Sequence, residues 1–347
     1  MQSIYTNTTI SDELASRLHA MPKIELHVHL EGATDATTIW ELAARNKVAL
    51  PATTLEEWQS MYAFRDFNHF VEIYMLAADC MRTPEDFTFM TVQFLQQQAT
   101  QNIQYCEVFL SATFMLDKLP ADELIDALIE GAQRGEKQYG TCVRFIPDFT
   151  RELPDSRYRV LDFVLQGQAK GIFIGLGVGG KEVGFPPELF EDVFAEARRQ
   201  GLRVVAHAGE TEGAQSIWGA LHSLRAERIG HGVRALEDLQ LIDYLRQTQI
   251  PLEVSPSSNY CLKVVPTDQP HPIRALMDQG VYVTVNTDDP PMFSTDLTNE
   301  YQLLARQGFS WEELWQLNLN ALHASFLPDE TKRVYLAQWQ DFAAQAE

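Results

Sequence analysis

Cysteine is scarce: Cys80, Cys106, Cys142 and Cys261 are the only four in 347 residues, and no two form a C-x-x-C pair. That spacing offers neither a disulfide framework nor a thiolate metal site, and it fits a reducing compartment. Positive charge is also short. Lys and Arg total 27 against 48 Asp and Glu, a formal net charge of -21, which opposes polyanionic partners such as nucleic acid and anionic membrane. No run of about 20 apolar residues is available to span a bilayer. The opening MQSIYTNTTISDELASRLHA has no basic segment or apolar core of a signal peptide, so a cytoplasmic location is expected. Low-complexity tracts and repeats are missing too. A doubly wound dinucleotide-binding sheet is the weaker architectural candidate, because no G-x-G-x-x-G follows the first apolar run. Oligomeric state has no signal in the sequence.

What is present is a series of short apolar runs separated by segments of helical periodicity. The runs are KIELHVH (23–29), IQYCEVFL (103–110), VRFIPDF (143–149), IFIGLGV (172–178), LRVVAHA (202–208), ERIGHG (227–232), IPLEVS (250–255) and VYVTVNTDD (281–289). Between them lie helical stretches such as PPELFEDVFAEARRQG (186–201), with Pro near its start and Gly at its end, and LEDLQLIDYLRQTQ (236–249). Strand and helix alternating eight times predict an α/β fold, a (β/α)8 TIM barrel, as one domain over 1–347. The connection after the first strand is too long for a simple crossover and itself reads as several helices, a cap at about 33–102. Its aromatics Trp58, Tyr62, Phe64, Phe67 and Phe70 have the helical spacing of ordinary core residues, and they also suit the wall of a pocket for a flat ligand.

The residues with chemical potential cluster at strand ends. Residues two apart on a strand face the same way, so His27 and His29 can aim both imidazoles at one point. His207 closes the fifth run, His231 the sixth, and Asp288 with Asp289 the eighth. In a barrel those C-terminal ends converge on one face. Any one histidine is more often a hydrogen-bonded core residue, but that explanation would have to recur at each strand end. Imidazoles with a carboxylate suit zinc or iron with a position left for water, and spacing alone does not say which three of the four histidines bind. Glu210, three residues after His207, is placed to be the general acid/base, though it also reads as a solvated loop glutamate. Asp288 and Asp289 diverge on extended backbone and so take different roles, unless DDPP is only a turn. The glycines before Lys181 either bring backbone amides close to a ligand or make a turn.

Taken together, PKIELHVHLEG, HAGET, RIGHG, SPSSN and TVNTDDPPMF resemble the adenosine deaminase family of the amidohydrolase class, across roughly residues 22–330. The resemblance implies a barrel bearing one Zn2+ per chain that hydrolyses the 6-amino group of a small purine substrate and releases ammonia. Carried over by motif, His27, His29, His207 and Asp288 are the implied metal ligands, and Glu210, His231 and Asp289 the implied catalytic residues. His29, Asp289, Glu31 and Gly180 are the implied substrate contacts; the local GGKE departs from the family's glycine loop, and Lys181 and Glu182 have no role in this reading. Relatives with two metals carry a bridging lysine on the fourth strand, which IFIGLGV lacks. Cytidine-type deaminases use H-x-E with P-C-x-x-C, which is also missing.

Glu31 follows HVHL where nucleoside-specific members of the family commonly have Asp. An adenosine-type nucleoside is ranked first as substrate, 6-aminodeoxyfutalosine second and free adenine third. A catalytically idle binding protein is the contrasting class, and it would be marked by a missing catalytic residue.

Overall fold

The first apolar run forms a strand, Lys23–His29 (β1), whose seven residues are all buried, as the crowded interior of a parallel sheet requires. A computed structural model describes residues 9–344; positions 1–8 and 345–347 of the expected domain lie outside the described residues. Seven strands follow: Ile103–Ser111 (β2), Cys142–Thr150 (β3), Gly175–Gly179 (β4), Arg203–Ala208 (β5), Arg228–His231 (β6), Leu252–Val254 (β7) and Val283–Val285 (β8). They pair in parallel in sequence order, and a bridge from Val28 to Asp288 brings the end of the sheet back to its start. Asp288 N–H donates to His27 O at 3.0 Å and its carbonyl accepts from His29 N–H at 2.8 Å. The (β/α)8 barrel expected from the alternation is what forms.

Three of the boundaries that moved from their expected places did so for a clear local reason. The fourth strand was expected from 172, but Ile172 and Phe173 donate to Gly167 O at the preceding helix end, so the ladder proper starts at Gly175. The eighth was expected to run to 289. It stops at Val285, and the Asn286 carboxamide accepts the Leu26 N–H in place of a backbone carbonyl. The helix expected from 236 begins at Leu239, because the Asp238 carboxylate caps Gln240 and Leu241 N–H.

Helix Asp12–Ala20 (α1) precedes β1, and four helices occupy the long connection between β1 and β2: Ala36–Asn46 (α2), Leu55–Ser60 (α3), Phe67–Asp79 (α4) and Pro84–Thr100 (α5). Each of the four starts on a side-chain cap, from Asp35, Thr54, Asp66 and Thr83 respectively, so their starts are written locally in the sequence. Trp58, Tyr62, Phe64, Phe67 and Phe70 form one chain of ring contacts. Inside the barrel, Phe109, Ile146 and Val205 form an apolar layer, and Phe109 lies within 4.7–5.1 Å, ring to ring, of His27, His29 and His207. The histidines therefore stand on a packed floor that no substrate can pass.

Candidate active site

The alternation of β1 turns His27 and His29 inward, β5 supplies His207, and the bridge that closes the barrel supplies Asp288. One ligand atom from each of these four residues lies within 4.8 Å of all the others. His29 Nε2 is 3.1 Å from His207 Nε2 and 3.3 Å from Asp288 Oδ1, and His27 Nε2 is 3.5 Å from that same oxygen. A tetrahedron built on metal–ligand bonds of about 2.0–2.1 Å has edges of roughly 3.3 Å, so the spacing fits a single metal ion.

The second nitrogens support this fit. His27 Nδ1 donates to Glu253 Oε2 at 2.8 Å and His207 Nδ1 to the Val178 carbonyl at 3.0 Å, which turns each Nε2 towards the centre, where a metal ion would take its lone pair. His27 Nε2 is buried with no hydrogen-bond partner, an expensive state unless a cation occupies the centre. Ser258 Oγ donates to Asp288 Oδ2 at 2.7 Å, holding the other carboxylate oxygen away. Asp288 (φ 67°) and His231 (φ 61°) both sit in the left-handed region, backbone strain placed where two side chains must be re-aimed.

Glu210 stands beside this group, its Oε1 3.8 Å from His231 Nε2. Burial, then the charges of Asp288 and Glu182, hold its carboxyl well above the usual range. Burial likewise lowers His231 to about 4, leaving a neutral imidazole. Burial, then Asp288 beside it, raises Asp289. Asp289 Oδ1 has no partner and occupies the space that a Cβ on Gly32 would need, so that glycine makes room for it.

Above these groups opens a cavity of about 230 Å³, walled on its outer side by Phe67, Phe70, Val71 and Tyr74 of α4. Of the five aromatics, Phe67 and Phe70 face the cavity, while Trp58 is wholly buried in the core. Gly180 lines the cavity with φ 82°, where a Cβ would strike Glu152. Glu31 is placed differently. It is wholly buried behind the wall, accepting from Ser111 N–H at 2.9 Å and Tyr74 Oη at 3.2 Å, so it reaches the cavity only through those two residues.

Several working residues escaped the sequence reading. Glu182 accepts from the N–H groups of Gly209, Glu210 and Thr211 at 2.8–2.9 Å and from Ser216 Oγ at 2.5 Å, anchoring the loop that carries Glu210. No local pattern in the sequence marks it, since its partners lie 27 to 34 residues away. Asp148 and Glu152 also line the cavity, so every carboxylate or cationic side chain on its wall, histidine aside, is acidic: these two with Glu210, Asp288 and Asp289. Glu253, Arg228 and Glu107 form a buried charged chain under His27.

The Adenosine deaminase family model matches residues 22–341. The adenine deaminase of Cupriavidus necator is 35% identical over 337 residues, 96% of this chain and 95% of that protein. The aminodeoxyfutalosine deaminase of Streptomyces avermitilis is 36% identical over 338 residues, 96% of this chain and 94% of that one. Among solved structures, an amidohydrolase from Burkholderia ambifaria with bound Zn superposes with a TM-score of 0.89 at 27% identity, covering 98% of this chain and 96% of the other. With a match of this extent over a barrel whose strand ends gather histidines and carboxylates at one point, the chain belongs to the adenosine deaminase family and is an aminohydrolase.

Proposed function

We propose that the chain removes the 6-amino group of a neutral purine nucleoside of the adenosine type by hydrolysis, with one Zn2+ held by His27, His29, His207 and Asp288. The observation that carries this reading is the four-residue cluster with the Glu210 carboxyl beside it at the closed end of a cavity. The Zn in a relative of the same fold supports the choice of metal. Bound there, Zn2+ lowers the pKa of a water towards about 7 and so supplies a nucleophile at neutral pH.

The protein's own groups do the rest. Glu210, protonated because it is buried among negative charges, donates to ring N1 and weakens the aromaticity that protects C6. His231 donates to the attacking oxygen. Asp289, whose free Oδ1 is buried beside the cavity, hydrogen-bonds N7 or the incoming hydroxyl and so stabilises the tetrahedral carbon. The Gly180 amide meets the ring edge. Helices α2 to α5 act as the cap of a single domain, with α4 closing over the substrate. Glu31 acts on substrate choice indirectly, by fixing Tyr74 and Ser111 in the wall.

Free adenine is the second reading, favoured by the 35% identical adenine deaminase. The test is ammonia release from zinc-loaded protein given adenosine, deoxyadenosine, adenine, 6-aminodeoxyfutalosine and AMP. Reaction with none of them sinks the purine reading, and reaction with adenine alone sinks the nucleoside. Among the described residues, the wall carries no lysine or arginine, and its Glu152 carboxylate sets a further expectation. A phosphate would meet like charge there, so kcat/KM for AMP should fall at least about tenfold below that for adenosine, through KM. Equal values would show that the acidic wall does not face the sugar end.

A further inference from the structure

His231 is buried, and its Nε2 faces the space between Glu210 and Asp288, 3.8 and 3.9 Å away. Whether it can donate there or only accept depends on which ring nitrogen carries the proton, and that is set on its far side. Asn259 Nδ2 lies 3.2 Å from His231 Nδ1, and Asn259 Oδ1 lies 3.2 Å from His271 Nε2. The last link is the backbone N–H of Ile273, 3.2 Å from His271 Nδ1.

We infer that Asn259 and His271 are positioning residues that lock His231 in the Nε2–H tautomer, making it a hydrogen-bond donor towards the reacting centre. The chain of donors is read from its one unambiguous end. A backbone N–H only donates, so His271 Nδ1 must be bare. Burial holds the His271 ring neutral, at about 3, so its single proton is on Nε2. That proton has to go to the Asn259 oxygen, which turns the amide nitrogen to His231. An NH2 group also only donates, so His231 Nδ1 accepts and the ring proton is left on Nε2. The order of atoms in the amide follows from the network, not from its assignment. Asn259 and His271 are 0% and 1% exposed, so no solvent competes for these contacts. The outer end is held as well: His271 N–H donates to Gln307 Oε1 at 3.2 Å, and Tyr260 packs edge-on against its ring.

The consequence is a division of labour. A donor at His231 Nε2 cannot take the proton from the nucleophile; it stabilises negative charge growing on the attacking oxygen. Proton transfer to the ring and the leaving amine then falls to Glu210. The inference rests on the role proposed for His231, but the tautomer itself is measurable without turnover.

The experiment is long-range 1H–15N spectroscopy on 15N-histidine-labelled, zinc-loaded protein, with His231→Gln used to assign the resonance. The wild type should show His231 protonated at Nε2 and bare at Nδ1. A spectrum with the proton on Nδ1 overturns the inference whatever the enzyme does with purines. Asn259→Asp is the isosteric probe, since a carboxylate accepts on both sides and obliges His231 Nδ1 to carry a proton. In that variant the His231 signals should change accordingly, with metal content unchanged and KM within about twofold. The kcat should fall about 10- to 100-fold, up to the low end of what removing a proton-transfer or charge-stabilising group outright loses. An unchanged kcat, or a loss confined to KM or metal content, overturns it. If no purine reacts with the wild type, the functional proposal fails while the spectrum still decides the tautomer.

Discussion

The Glu210→Gln protein is expected to keep its metal and to lose turnover by about 1,000-fold, within the range measured for removing a positioned general acid. The change is close to isosteric, and the backbone of residue 210 stays anchored because the Glu182 carboxylate accepts its N–H at 2.9 Å. Glu210 lies outside the His27, His29, His207 and Asp288 set, so the metal has no reason to leave. What glutamine lacks is a proton it can give to N1 and later recover.

The pH dependence carries the same signature with a definite sign. Burial, then Asp288 and Glu182, raise the Glu210 carboxyl, so the active, protonated form is present below that raised value and is lost as pH rises through it. Wild-type kcat/KM should therefore fall on the alkaline side, and the residual activity of Glu210→Gln should lack that limb. Metal analysis, kcat and a pH profile on both proteins check this. Turnover within tenfold of wild type would remove Glu210 from its role.

How much of this site was legible in the sequence depends on the reach of each signal. His27 and His29 could be paired because a strand repeats every two residues, and His207, His231 and Asp288 could be gathered because barrel strands end on one face. Gly32 makes room for Asp289, a pairing that no local pattern shows because the two lie 257 positions apart. Glu182 has no role in the sequence because its donors, three N–H groups on the loop after β5 and Ser216 Oγ in the helix beyond, meet it only in the fold. Glu31 is a substrate contact only by resemblance, from its place after HVHL where relatives commonly have Asp. The strand has ended there, however, and its side chain turns behind β2 to Ser111. Ser258 and Asn259 carry no role in the sequence beyond the resemblance of SPSSN, although one aims Asp288 and the other faces His231. Local patterning thus found the groups that point inward. The groups that hold them came from contacts 28 to 226 residues apart, for which a single sequence has no period to show.

Glu253 is the clearest of those holding groups, and its replacement by Gln is expected to weaken metal binding about 100-fold, the upper part of the range for a residue orienting a histidine ligand. It sits in β7 with its side chain wholly buried inside the barrel. One oxygen accepts from His27 Nδ1 at 2.8 Å, and the other lies 2.5 Å from Arg228 Nε. Arg228 also reaches Glu107 at 2.5 Å and lies over the Phe326 ring at 3.9 Å, so its charge is paired on two sides far from water. A carboxylate serves both donors, one oxygen to each. A carboxamide cannot, because one end carries hydrogens that would face either His27 Nδ1–H or the guanidinium. If the NH2 faces His27, the imidazole proton is driven to Nε2 and the metal lone pair is lost. In either orientation the buried Arg228 cation loses one of its two counter-charges, and where the NH2 faces it the guanidinium also meets a donor, at a cost of about 3–5 kcal/mol. Zinc titration against a competing chelator and denaturant unfolding of the metal-free protein separate the two outcomes. Either way, excess Zn2+ should restore kcat in Glu253→Gln and should do nothing for Glu210→Gln. A variant with wild-type metal affinity and stability would mean that the buried chain beneath His27 plays no part in holding the ion.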